Sequence, residues 1–444
     1  SALRRNMSLR SVFLYQWAYP THSVRIVRYP TLRLLLFSPP HSGSRYGRDM
    51  FTEYTGNRQF DLQLNRTFAP ILDRAGMETI AATALPQLRT TDQITELAQG
   101  LAERFSSEGD ADAAWRLYEL AAFYLGADDP RKRRFIDAMS ASFDEAHRGL
   151  ALTRHAVPYG DGELTAMRWE ADPTDRAQAP AGTPTTLIMM NGFDGYAEEI
   201  IDFASHFPTR PFDVIAFDGP GQGHTVLAGM PLESQWERPT YAVLDYFGIE
   251  SAAVLGVSFG GYLVTRAAAY CPRISHVIAF DMMYRLLDGL TAPLPRPLRP
   301  IADAVVANPR PALLIDAALR TASRLSADLA WKLQQASHLT GLSRPSEVLR
   351  AFGDYTMKPF EGRITQPCLV LAGDADQYVP FERLGDVRRA LENSASLDVR
   401  AFRHAQDPDM AQHCQIGDLD RAFAIMGDWL QAAPMKSLRN SIRV

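Results

Sequence analysis

Five consecutive residues, Gly256-Val257-Ser258-Phe259-Gly260, have the composition of a turn that presents a serine hydroxyl as a nucleophile. A serine hydroxyl is weak in that role unless it is lifted from the backbone to where a base can reach it. Small residues on both sides let a strand and a following helix crowd the same turn. Here the apolar run 252–255 precedes the turn and a helix-like stretch, 262–269, follows it, with Gly261 allowing close packing. The pattern is short, and a plain strand-to-helix turn would also satisfy it. Its weight comes from what lies downstream.

A nucleophilic serine needs a base, and the base needs an acid to fix its tautomer. Where a G-x-S-x-G turn joins a strand to a helix in this way, the expected chain order is serine, acid, histidine. After the apolar run 368–371 comes Gly373-Asp374-Ala375-Asp376-Gln377-Tyr378-Val379-Pro380. Asp376 is the preferred acid, because a turn of this form ends on an aspartate followed by Val-Pro; Asp374 is the alternative, and both could simply cap the next helix. Two histidines follow the strand-like run 397–402: His404 directly, and His413 at the head of His413-Cys414-Gln415. Spacing from Asp376 is 28 residues to His404 and 37 to His413, so His413 requires an insertion at 406–412.

Acyl transfer also needs donors for a developing oxyanion, each worth about 3–4 kcal/mol. One is the backbone N–H of Phe259. The second is the N–H of Phe193, in the loop Asn191-Gly192-Phe193-Asp194-Gly195 after the run 186–190. Asp194 beside it is either a surface turn residue or a substrate contact. Asp218-Gly219-Pro220-Gly221-Gln222-Gly223 has the glycines of a phosphate cradle but no Lys-Ser/Thr after them, and a proline where a donor is wanted. It reads as a tight turn.

The elements that must hold these residues follow from hydrophobic period. Trp115, Tyr118, Ala122 and Leu125 recur at helical spacing within a helical region, 51–151, and Asp128-Asp129-Pro130 stops one helix and starts another. Beyond residue 163, short continuous apolar runs (186–190, 214–217, 252–255, 277–280, 368–371) alternate with stretches long enough for helices. That pattern is an α/β fold, a mostly parallel sheet covered by helices on both faces. A helical stretch, 285–351, interrupts it between the fourth and fifth runs and belongs above the C-terminal edge of the sheet. The expected organisation is a basic extension (1–50), a helical cap (51–160), a first core part (161–284), a helical lid (285–360) and a second core part (361–444). Cap and lid together are expected to roof the site with apolar side chains such as Trp115, Phe123 and Trp331.

Bulk properties exclude several classes. The 444 residues carry a net charge of -5, which gives no reason to expect a nucleic-acid partner, and no apolar run is long enough to span a membrane. Three cysteines, Cys271, Cys368 and Cys414, are too few for a disulfide framework and lack metal-ligand spacing, which fits a reducing, cytoplasmic setting. The first 48 residues hold eight arginines and no acid. Prolines 20, 30, 39 and 40 break any continuous amphipathic targeting helix, and a structured extension is the reading preferred over a transit peptide. The partner expected is a small-molecule substrate, with no cofactor motif and no metal set; a homodimer is compatible.

The 218–223 run, the 256–260 turn, the 373–380 turn, and His413-Cys414-Gln415 ahead of Asp428-Trp429-Leu430 resemble one group of α/β-hydrolases. It holds the fungal yellowish-green-type polyketide hydrolases and the bacterial 2,6-dihydroxypseudooxynicotine hydrolase. The helical stretch from Trp115 through Asp129-Pro130-Arg131-Lys132 to Phe143 is similar in style, so the resemblance spans roughly 55–435. It implies an α/β-hydrolase fold with an N-terminal helical domain and an inserted helical lid, His413 as the base, and cleavage of a carbon–carbon bond beside a ketone. An acid near the leaving group would assist, and Asp281, after the run 277–280, is the candidate, a helix N-cap being its bland alternative. Ester or lactone hydrolysis, and a non-hydrolytic cyclase or acyltransferase, would use the same Ser258, Asp376 and His413.

Overall fold

The computed structural model describes residues 51–292, 297, 299–308, 310–432 and 442–443. The basic extension, 1–50, lies outside them.

Continuous apolar runs bury both faces of a strand, and they form the centre of one sheet, nine-stranded among the described residues. Its strands are β1 (Leu152–Tyr159), β2 (Gly162–Trp169), β3 (Thr186–Met190), β4 (Asp213–Asp218), β5 (Ala252–Val257), β6 (Ile274–Phe280), β7 (Cys368–Gly373), β8 (Leu397–Phe402) and β9 (Ile442–Arg443). The spatial order is β1-β2-β4-β3-β5-β6-β7-β8-β9. β1, β2 and β4 pair antiparallel, and every later pairing is parallel. Every residue of β3, β4, β5 and β7 is buried.

The sheet starts earlier than a division at residue 160 allows. β1 pairs along its whole length with β2, so 152–159 belong to the sheet and not to the helical cap. The reason is that β1 is an edge strand with Val157 alone buried and the rest exposed or half-buried, so it carries no continuous apolar run.

Among the described residues four long helices precede the sheet: Arg58–Phe68, Thr91–Glu108, Ala111–Phe123 and Pro130–Ala146. Asp129 caps the last of them by accepting the Arg131 N–H at 2.9 Å, with Pro130 at the first helical position, where its missing N–H costs nothing. Trp115, Ala122 and Leu125 are buried in a core shared with the sheet. This region is fixed to the core helix Ala197–Ala204 by a buried bidentate pair, Arg116 to Asp202, at 2.7 and 2.6 Å. The inserted helices, among them Ala312–Ser323, Ala327–Thr340 and Pro345–Gly353, lie between β6 and β7. The two helical regions meet where Trp331 stacks on Phe123, ring centroids 4.9 Å apart. Among the described residues no helix is long and apolar enough to cross a membrane.

The sheet order decides where chemistry can occur. β3 leads outward to β4 on one side, whereas β5 lies against its other side, so the crevice beyond their C-terminal ends is a topological switch point. Met190 pairs with Gly256, and Val257 pairs with Phe280. The chain therefore leaves β3, β5 and β6 side by side, at Asn191, Ser258 and Asp281.

Candidate active site

Ser258 occupies a backbone conformation that residues with side chains rarely adopt, φ 59° and ψ -120°. The turn is so tight that a Cβ on Gly256 would lie 2.0 Å from the Gly260 carbonyl oxygen. Glycine is therefore required there by close approach. Strand, serine and the helix Phe259–Tyr270 follow one another without a spacer, which aims the hydroxyl out of the sheet edge.

The Ser258 Oγ lies 2.8 Å from His413 Nε2, and His413 Nδ1 lies 2.7 Å from Asp376 Oδ2. A neutral imidazole that donates from Nδ1 to a carboxylate must accept at Nε2, where the serine proton is. Asp376 is held in turn by the N–H groups of Tyr378 and Val379, at 2.7 and 2.9 Å. The structure does not bring the alternatives to the serine. His404 is exposed, and its N–H is bonded to Asp374 Oδ1 at 2.7 Å. The segment 406–412 folds back on the acid turn: Ala375 N–H donates to Ala411 O at 3.1 Å, and Gly373 has no room for a Cβ beside Ala411. That fold-back takes up the long spacing and delivers His413 to Asp376.

Asp281 is not where a leaving group would lie. It is fully buried behind the imidazole and takes no part in lining the cavity. One oxygen accepts the Cys414 N–H at 2.6 Å and lies 3.5 Å from His413 Nδ1, and the other accepts from Gln415 Nε2 at 3.0 Å. Cys414 and Gln415 both have positive φ, 50° and 44°, and Asp281 is the anchor for this strained turn. Nor is it a helix N-cap. A residue directly after a strand points to the sheet edge in either case, so the sequence could not tell a cavity wall from the space behind the histidine.

Electrostatics follow from burial and the pairing of these groups. Burial alone would lower the His413 pKa, but the adjacent Asp376 charge raises it well above 6.5. Burial would raise the Asp376 carboxyl, yet His413 holds it below its ordinary value. Asp281 goes the other way: burial first, and then the Asp376 charge, push it up to about 8. Of two carboxyls facing one imidazole, the one paired with it is pushed down and the one behind it is pushed up.

Ser258 and His413 open on a cavity of about 870 Å³, its open mouth included, with mostly apolar walls. Leu62 and Arg66 of the first helical region line it, as do Leu286, Trp331 and Phe352 of the insertion. Phe193 forms part of the same wall, and neither its N–H nor that of Phe259 meets an acceptor among the described residues. Asp194 also faces the cavity, 3.6 Å from Arg66 Nη1.

Sequence reading missed Arg66, which forms a bidentate pair with Glu199 and lies 3.4 Å from Glu119. Burial, and then the Glu199 charge, hold Glu119 well above the usual carboxyl range. A signal did exist. Glu198-Glu199 sit among Ala197, Ile200, Ile201 and Phe203, an odd place for two acids unless cations from elsewhere meet them. It also missed Tyr378, whose ring packs edge-on against His413 at 4.9 Å.

Two donor groups are close enough to share an ion among the described residues: Asp281, His413 and Cys414, and Glu198, Asp218 and His224. In the first, both His413 nitrogens are engaged as described. In the second, Glu198 Oε1 already takes donors from Arg154 (2.9 Å), His224 (2.9 Å) and Ser140 (2.8 Å). Cys271, Cys368 and Cys414 are free and buried.

The chain is similar to the hydrolase acrC of Aspergillus aculeatus, 28% identical, with 65% of this chain and 76% of that protein covered. It is likewise 28% identical to the 20-hydroxy-prefusarin hydrolase FUS2 of Gibberella moniliformis, with 64% and 72% covered. The crystal structure of the 2,6-dihydroxy-pseudo-oxynicotine hydrolase superposes with a TM-score of 0.56 at 20% identity, covering 84% of this chain and 97% of that one. At that identity the likeness is one of fold. Residues 185–406, half of the chain, match the alpha/beta hydrolase fold family. That stretch runs from β3 to just beyond β8 and includes the serine turn after β5, and by it the chain belongs to the α/β-hydrolase family.

Proposed function

We propose that the chain hydrolyses a carbon–carbon bond beside a ketone, acting on a polyketide-like or aromatic β-diketone through Ser258, His413 and Asp376. The observation that carries this reading is the hydrogen-bonded line from Asp376 through His413 to Ser258, ending in an apolar cavity. Ser258 Oγ adds to the ketone carbon as His413 Nε2 takes its proton. The alkoxide is received by the Phe193 and Phe259 N–H groups. Collapse of that adduct breaks the carbon–carbon bond. The departing carbon leaves as an enolate, stabilised by the second carbonyl of the β-diketone, and is protonated from His413. Water, deprotonated by His413, then releases the acyl group from Ser258 as a carboxylic acid. Asp376 fixes the histidine tautomer throughout. Aromatic walls from Phe193, Trp331 and Phe352 suit a flat conjugated substrate. The sequence resemblance supports the same chemistry.

The test is a matched pair of substrates, an aryl β-diketone and an ester of the same size, in ¹⁸O-water. The expected result is a carboxylic acid carrying one ¹⁸O and a ketone, with kcat/KM for the diketone at least tenfold that for the ester. Ester turnover with no diketone cleavage moves the assignment to an esterase. Conversion of the diketone without ¹⁸O uptake moves it to a non-hydrolytic transferase or cyclase.

A further inference from the structure

The second oxyanion donor depends on a peptide that could face either way. Gly192 precedes Phe193, and a Cβ on it would come within 3.1 Å of both Ser258 Cβ and the Val257 carbonyl oxygen. A side chain there would press on the serine and its strand, so glycine lets the loop pass close to Ser258. The same glycine lets the 192–193 peptide flip at little cost. A flipped peptide would present a carbonyl oxygen to the serine and turn the Phe193 N–H away. Something must impose the orientation.

Gln222 is placed to do so. It is buried, and its Nε2 donates to Asn191 O at 2.7 Å and to Gly192 O at 2.9 Å. Its own turn decides which end of the side-chain amide faces the loop. Gln222 Oε1 accepts the Gly219 N–H at 3.1 Å, and the Gln222 backbone N–H donates to Gly219 O at 2.9 Å. Across a planar trans peptide, the carbonyl of one residue and the N–H of the next point in opposite directions. Tying down the Gly192 carbonyl therefore sends the Phe193 N–H the other way. The neighbouring groups do not compete for it. The Gly192 N–H is occupied by Asn191 Oδ1 at 2.5 Å, and the Phe193 carbonyl accepts from Gln335 Nε2 of the inserted helices at 3.2 Å.

We propose that Gln222 is the positioning residue of the oxyanion site, the side chain by which the 218–223 turn after β4 holds the Gly192–Phe193 peptide with its N–H toward the Ser258 adduct. This inference rests on the serine-hydrolase reading and gives that turn a task beyond chain reversal.

Gln222→Met keeps the volume and removes the donor. With active sites titrated by a fluorophosphonate, kcat per titrated Ser258 should fall on the order of 10²-fold, with KM within about threefold, as when one oxyanion donor is lost. Affinity for an arylboronic acid, which forms a tetrahedral adduct on the serine, should fall by a similar factor. A merely structural role would lower the melting temperature and the titrated fraction, leaving both ratios unchanged. Values of kcat and boronate affinity within about threefold of wild type would overturn the proposal. If the variant does not fold, wild-type protein labelled with ¹⁵N-phenylalanine answers instead. The Phe193 amide proton should move downfield together with that of Phe259 when the boronic acid binds, and a Phe193 resonance that stays in place would overturn it too. Ser258→Ala separates the two levels. Retained turnover there defeats the serine reading itself, whereas a dead Ser258→Ala beside a fully active Gln222→Met defeats only the role of Gln222.

Discussion

The floor of the cavity and its roof are built in different ways. On the floor, Ser258 and Asp281 each come one residue after a strand ends, and Asp376 comes three after. Their positions are set by strand pairing and short strained turns, so no long side chain has to reach for them. The roof is assembled from segments far apart in sequence, joined by side chains: Arg66 to Glu199, Arg116 to Asp202, Trp331 against Phe123. Its inserted part also leaves large apolar side chains in the open, with Leu313, Leu314 and Leu325 each at least 75% exposed. A floor fixed by the backbone can keep one chemistry while the roof varies in shape. The corollary is that floor substitutions should cost rate and roof substitutions should cost stability.

The sharpest break in that contrast is at Ser258 and the histidine beside it. Ser258→Ala and His413→Ala should each lower kcat on the order of 10⁶-fold, about 8 kcal/mol, with the melting temperature unchanged for Ser258→Ala. His404→Ala should lie within about twofold of wild type. Steady-state kinetics on the three variants, with calorimetry alongside, check both halves. A reversed order between His413 and His404 would move the base and undo the account of the 406–412 fold-back.

The roof should answer in the opposite currency. Arg116→Met leaves Asp202 buried without its guanidinium, and breaking a buried pair of this kind costs about 3–5 kcal/mol of stability. Thermal or urea unfolding would show it, while kcat per titrated active site should remain within about threefold. A large kcat loss without destabilisation would mean the roof shapes the chemistry directly.

The smallest effect concerns Asp281, whose carboxyl is pushed up to about 8, first by burial and then by the Asp376 charge. Between its ordinary value of 3.8 and about 8, the folded protein holds a proton that the unfolded chain has released. Stability therefore falls as pH rises through that window. Asp281→Asn, which mimics the protonated acid, should keep kcat at pH 7 within about threefold and flatten the fall in melting temperature between pH 5 and pH 8. An unchanged pH dependence would show Asp281 to be ionised throughout.

Much of the floor was legible before any coordinates. Runs of buried-type residues marked β3 to β7, because a strand covered on both faces has no polar positions to blur the pattern. Edge strand β1 escaped for the converse reason. Ser258 was legible because a crowded turn demands glycines around it, and Asp376 because its turn has a fixed form. His413 could be preferred to His404 only by resemblance, since spacing favoured His404 unless 406–412 is an insertion.

Sequence by itself thus determined which residue types are available at the C-terminal ends of the strands, through local sterics and period. Tertiary structure alone decided what those residues face. Asp281 turned out to stand behind the imidazole because the His413-Cys414-Gln415 turn needs an acceptor there. Arg66 and Gln222 acquired partners 133 and 30 residues away in sequence. The direction of a side chain, or of a peptide next to glycine, is settled by contacts between distant segments, and no local pattern of residues encodes it.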